Sequence, residues 1–172
     1  MNDYAMSKRV NEMQVHNSRS QFGTNTVMVR FFNTYGPGEW YHPFRSVNCL
    51  FTYNLLHKKP ITVFKGHSRT STYIYDSVRT LANIADNFID GETYNIASDQ
   101  EHTIENLAEL LVKYTKADPA LVDYREHSEV LTTKHKHVDA SKSVRDLDHK
   151  NTVSLEEGVW ETVQWMKEHY RL

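Results

Sequence analysis

At 172 residues the chain is sized for one domain, and a hydrophobic content of 39% is enough to build a core. Twenty Lys and Arg against 22 Asp and Glu leave a formal net charge of −2, which gives no electrostatic footprint for nucleic acid or an acidic membrane surface. The single Cys49 excludes an internal disulfide; no apolar run reaches the ~18 residues of a spanning helix, and no signal-peptide pattern follows Met1, so the expected location is the cytoplasm.

In chain order, Asn2 or Asp3 can cap a helix running to about Gln21, with Met6, Val10 and Met13 as its apolar stripe and Gly23 as its stop. The run 26–32 is apolar on both faces, as in a strand covered by helices on both sides. Gly36-Pro37-Gly38 breaks it, Pro43 can open a helix to about His57, and short strands are expected at 61–64 and 71–75. A helix from about Asp76 to Ile89 carries Val78, Leu81, Ala82 and Ala85 at helical spacing. Strand 93–97 leads to a helix at 103–115, striped by Leu107, Leu110 and Leu111 and ended by Asp118-Pro119. Ser154 and Glu157 form a capping box for a last helix, 155–169, whose Val159, Val163 and Met166 face inward.

Chemistry enters at Tyr4-Ala5-Met6-Ser7-Lys8. Tyr4 and Lys8 lie one helical turn apart on one face, so an ammonium can stabilise a phenolate and let a tyrosine act as an acid/base; a solvated helix face has the same spacing. Downstream, Arg30, Asn33, Tyr35, Gly36 and Pro37 stand at the end of the first strand. They are followed by Lys59-Pro60-Ile61, Gly66 to Arg69, Tyr73 to Asp76, Tyr94-Asn95-Ile96, Asp139 to Lys142 and Ser154 to Gly158 with Trp165.

That ordered set resembles the C-terminal half of the extended short-chain dehydrogenase/reductase family, NAD(P)-dependent enzymes that epimerise, dehydrate or decarboxylate nucleotide-activated sugars. The resemblance implies an α/β fold: residues 1–37 as a remnant of the Rossmann-like domain, and 38–172 as the smaller α/β substrate-binding region with C-terminal helices. A complete member opens on a strand, a glycine-rich turn and a helix that holds the cofactor pyrophosphate. Among the six glycines only Gly36 and Gly38 are close, without a third glycine or a following helix, so the chain is expected to be truncated at Met1 and not to hold NAD or NADP tightly alone.

By resemblance, Tyr4 is the acid/base on the sugar hydroxyl and Lys8 lowers its pKa and holds the nicotinamide ribose. Phe31 and Phe32 line the nicotinamide pocket, although paired strand aromatics also suit a core. Asn33 is implied to meet the substrate pyrophosphate, or to stabilise its own turn. Arg69 is implied to clamp the nucleotide diphosphate, or to be a solvated surface arginine. Asp139 is implied to reach the nucleotide ribose, and helix capping explains both it and Asp76 equally well. Lys134-His135-Lys136-His137 lacks a carboxylate or thiol to complete a metal site, so no metal is expected; a basic loop near the phosphates is the preferred reading. The aromatic run Glu39 to Pro43 could stack on a ring or plug the core.

Two functions follow. One is the C-terminal portion of a nucleotide-sugar epimerase/dehydratase, incomplete and inactive alone. The alternative is a non-catalytic nucleotide-sugar-binding or oligomerisation module. The expected partners are a nucleotide-sugar and either a second copy of the chain or a separate N-terminal half.

Overall fold

The computed structural model describes residues 3–126 and 134–172. The alternative cap Asn2 and the side chain of Lys136 lie outside the described residues. Helix α1 (Asp3–Phe22) ends where Gly23, at φ +63°, donates its N–H to Arg19 O at 3.0 Å. Strands β1 (Met28–Phe31) and β2 (Thr34–Tyr35) follow. Helix α2 (Val47–Leu56) is capped by Ser46, whose Oγ accepts from Cys49 N at 3.1 Å. The chain then forms β3 (Ile61–Phe64), β4 (Ser68–Thr70), β5 (Thr72–Tyr73) and α3 (Ile74–Asn87). It continues through β6 (Thr93–Ile96), β7 (Glu101–Thr103) and α4 (Ile104–Thr115) to β8 (Val122–Arg125). Last come β9 (His135–Lys136), α5 (Ser141–Leu147) and α6 (Leu155–Tyr170), the last with Ser154 Oγ accepting from Glu157 N as the capping box requires.

Three parallel pairs carry the architecture: β1 with β6, β2 with β5, and β3 with β8. Strand β4 lies between antiparallel β7 and parallel β9. The core gathers Tyr35, Leu55, Ile61, Val63, Tyr73, Leu107, Leu111, Val159 and Val163, so α2, α4 and α6 close over β3 and the β2–β5 pair. The inward stripes of α4 and α6 sit as periodicity places them, with Leu107, Leu111, Val159, Val163 and Met166 buried.

Several expectations change. The α2 helix starts at Val47 rather than Pro43, because Ser46 supplies the cap. The strand expected at 71–75 stops at Tyr73 and becomes α3. Strand β1 is not covered on both sides: Met28 is buried, but Arg30 and Phe31 are exposed. No described residue of α1 is buried, and Met6, Val10 and Met13 face solvent. Helix α3 is reversed, with Val78, Leu81, Ala82 and Ala85 outward and Asp76, Ser77 and Thr80 buried.

The polar face of α3 goes inward because each of its groups has a specific partner. Asp76 accepts from Thr152 N at 3.0 Å, Thr152 Oγ1 at 2.6 Å and Val153 N at 3.3 Å, and pairs with Arg79. Thr80 Oγ1 lies 2.7 Å from His149 Nδ1, whose Nε2 is 3.0 Å from Ala97 O. Periodicity thus identifies the helix but not which face is covered. Among the described residues no helix is long and apolar enough to cross a membrane.

Candidate functional site

The first site-forming element is α1 laid beside β1. Between them lies a cleft of about 780 Å³ lined by Tyr4, Lys8, Glu12, Phe31 and Phe32 among others. The i, i+4 spacing does what the helix geometry demands: the Lys8 ammonium lies over the Tyr4 ring, 5.5 Å from its centroid. Tyr4 is 70% exposed and Phe31 46%, so the phenol and one aromatic wall are open to a ligand or to another surface.

The cleft is braced by a residue that motif reading passes over. Glu12 receives Arg30 in a two-point ion pair, Nε to Oε1 at 2.6 Å and Nη2 to Oε2 at 2.8 Å, and Arg9 Nη1 at 3.1 Å. Chiefly through the hydrogen bonds from Arg30, its carboxyl is held at about 2. The sequence signal for it was Arg30 itself, a cation in an apolar strand that needs an anion one helix away.

Beyond β1 the chain turns at Asn33, a non-glycine residue at φ +44°. Asparagine tolerates this left-handed conformation better than most residues, and here it is over-determined by hydrogen bonds. Asn33 Nδ2 donates to Thr70 O at 2.9 Å and Asn33 O accepts from Thr72 N at 3.3 Å. Thr72 Oγ1 donates to Phe32 O at 3.1 Å and accepts from Ser98 N at 2.9 Å. Asn33 is thereby brought to the residue that follows Arg69.

Arg69 is not a solvated surface arginine. It is half-buried on β4, with Nη1 donating to Ser68 O and Lys134 O at 2.6 and 3.0 Å, and burial lowers its pKa from the ordinary value. Its partners are carbonyls rather than a carboxylate, which leaves a net cation on this strand. Directly opposite it on β7 stands His102.

Asp139 is placed elsewhere. Its Oδ1 accepts from Ser141 N at 2.8 Å, which holds its carboxyl below the ordinary range, and its carbonyl accepts from Asn95 Nδ2 at 3.0 Å. The structure therefore groups Tyr4, Lys8, Phe31 and Phe32 in one cleft, joins Asn33 to the Arg69 strand, and employs Asp139 at the start of α5. In the 134–137 run, His135 Nδ1 lies 2.9 Å from Ser68 Oγ, and no cluster of three or more metal-ligating side chains occurs among the described residues. The aromatic loop is committed to packing: Trp40 meets Trp165 at 5.4 Å and Tyr170 at 5.5 Å, and Tyr41 stacks on Tyr53 at 3.8 Å between ring centroids.

The sequence profile of the NAD dependent epimerase/dehydratase family matches residues 1–97, the stretch that runs from the Tyr4-Lys8 helix through β6. The chain belongs to that family. Among curated relatives, an uncharacterized protein of Methanocaldococcus jannaschii is 30% identical over 170 residues, 96% of this chain and 50% of the relative. The dTDP-glucose 4,6-dehydratase of Salmonella typhimurium is 29% identical over 173 residues, 94% of this chain and 46% of the enzyme. A crystal structure of UDP-glucuronic acid 4-epimerase from Bacillus cereus, in complex with UDP-glucuronic acid and NAD, superposes with a TM-score of 0.84 at 26% identity, covering 97% of this chain and 53% of that one. This family member thus spans about half the length of the relatives it matches, and its fold is the C-terminal part of their Rossmann-like α/β architecture.

Proposed function

We propose that this chain carries the acid/base and substrate-facing part of a nucleotide-sugar epimerase or dehydratase site. The observation that carries the reading is the shared cleft of Tyr4, Lys8, Phe31 and Phe32, continuous through Asn33 with the Arg69 strand. Tyr4 moves the proton on the sugar hydroxyl, and Lys8 stabilises its phenolate and holds the nicotinamide ribose. Phe31 and Phe32 exclude water from the ring, Asn33 and Arg69 take the diphosphate, and Asp139 approaches the nucleotide ribose. NAD or NADP, when bound, supplies the hydride acceptor.

The residues present suit the nicotinamide end of that cofactor: an aromatic wall, an ammonium and a phenol. They do not suit its pyrophosphate. Gly36 and Gly38 are followed by a loop, with α2 opening only at Val47, so their backbone N–H groups do not lead into a helix N-terminus. These 172 residues are accordingly inactive alone and bind NAD(P) weakly, and turnover requires a glycine-rich half. Titration calorimetry on the chain is expected to show no NAD(P) complex of micromolar or tighter affinity; such a complex would overturn the reading. With a glycine-rich half supplied in trans, Tyr4→Phe is expected to abolish turnover while nucleotide-sugar binding persists.

The alternative is a non-catalytic binding or oligomerisation module, and the outward Met6, Val10 and Met13 of α1 fit both readings. Each leaves up to ~1.5–3 kcal/mol of burial unrealised, and a second copy or a partner half covers them in either reading. Sedimentation at micromolar concentration is expected to show a dimer, and a stable monomer would contradict it.

A further inference from the structure

We propose that His102 is a ligand-responsive group of the diphosphate site, gaining a proton when a nucleotide diphosphate occupies Arg69 and so strengthening binding in mild acid. The inference rests on the Arg69 assignment above. Its geometric basis is the antiparallel register of β4 and β7, which puts Arg69 and His102 directly opposite one another with side chains on the same face. His102 also lines a polar cavity of about 170 Å³ with Ser71, Ser98, Gln100 and Asn106. An anion drawn to Arg69 therefore acts on His102 across one strand spacing.

The charged groups around the imidazole are few. From β4 comes Arg69, and from β7 itself Glu101, whose carboxylate is engaged by Ser68 Oγ; on the far side of that hydroxyl, from β9, stands His135, its Nδ1 2.9 Å away. From α4 comes Glu105, whose Oε1 accepts from Gly66 N at 2.6 Å, with Asn106 neutral beside it. Burial first, and the Arg69 charge second, push His102 down to about 4 from 6.5, against a weaker pull from Glu101. A bound diphosphate cancels the second of these and adds negative potential.

The neighbouring hydrogen bonds are prepared for the charged form. His102 Nε2 lies 3.2 Å from Ser71 Oγ, which lies 3.5 Å from Asn48 Nδ2. Asn48 is 1% exposed, and its Oδ1 has no hydrogen-bond partner. An imidazolium must donate to Ser71 Oγ, which frees the serine hydrogen. Ser71 Oγ has two lone pairs, so it can accept from the charged ring while still accepting from Asn48 Nδ2.

The test is calorimetry of the full chain with UDP-glucose, whose diphosphate diester keeps its two negative charges across the range, at about pH 7.5 and about pH 5.5. A His102 raised from about 4 toward its ordinary value predicts tighter binding at the lower pH, with about tenfold as the ceiling reached on full return to 6.5. It also predicts net proton uptake, read at the lower pH from the difference between two buffers of unlike ionisation enthalpy. In His102→Gln the pH dependence is expected to vanish. Binding of equal strength at both pH values, absence of proton uptake, or a pH dependence that survives His102→Gln would overturn the proposal while leaving the diphosphate site standing. No binding at either pH would overturn both.

Discussion

Gly158 offers the sharpest structural test, because the effect of adding a single methyl group can be worked out from its surroundings. It lies in the buried first turns of α6, and a Cβ built there would stand 2.8 Å from Tyr73 Cδ2 and 3.0 Å from Tyr35 Cζ, nearer still to Tyr35 Oη. Neither ring can step aside. Each is 2% exposed, they pack edge-to-face at 5.8 Å, and the Tyr73 hydroxyl is engaged by Glu161. Overpacking of this kind costs about 1–3 kcal/mol, and Gly→Ala inside a helix returns about 1 kcal/mol of propensity. With two fixed rings both too close, the cost belongs in the upper part of that range, about 2–3 kcal/mol. The net expectation for Gly158→Ala is therefore a loss of about 1–2 kcal/mol, or a melting temperature lower by about 2–8 °C for a chain of this size. Urea and thermal unfolding followed by circular dichroism measure it. A variant as stable as the parent would show that the Tyr35–Tyr73 pair yields, and that this glycine serves only helix geometry.

Asp76→Ala strips the acceptor from Thr152 N, Thr152 Oγ1 and Val153 N, and is expected to cost about 2–4 kcal/mol in urea unfolding, whereas Arg79→Ala, at a partner 41% exposed, costs under about 1 kcal/mol. His102 has a folded value below its ordinary one, so the unfolded chain binds the extra proton first; stability is lost as pH falls from about 6.5 to about 4, by up to ~3 kcal/mol, and the slope of unfolding free energy against pH over that window is expected to flatten in His102→Gln. Gly36→Ala would place a Cβ 2.5 Å from Ile74 Cγ2 at φ +143°, and is expected to lower the melting temperature; an unchanged value would refute the close packing of the turn on α3.

Much of this was legible in the chain. The caps at Ser154 and Gly23, the strand at 61–64 and the stripes of α4 and α6 stand where sequence puts them, because in each case the local chemistry and the tertiary environment agree. Strands β7 and β8 escaped notice for being three and four residues long: β7 has no apolar residue, and the Val-Asp-Tyr-Arg alternation of β8 is too short to stand out. The uncovered stripe of α1 and the reversed face of α3 were illegible for another reason. Periodicity reports that an apolar stripe exists, whereas the partner that covers it need not lie in the same 172 residues. In the site, the Tyr4–Lys8 spacing announced itself, but Glu12 and His102 did not: each is defined by a residue distant in sequence, Arg30 for one and Arg69 for the other.

Thr72 has a mechanical consequence. Through its amide and hydroxyl it grips Asn33 O, Phe32 O and Ser98 N, so the end of β1, the start of β2 and the exit of β6 are pinned at one side chain. Thr72 lies three residues past Arg69 in the chain, so the segment that bears Arg69 and the strand that bears Phe31 are tied at one junction by hydrogen bonds rather than joined through a loop. Thr72→Val would keep the shape of the junction and the amide bond to Asn33 O, while removing the two hydroxyl bonds that join Phe32 O and Ser98 N.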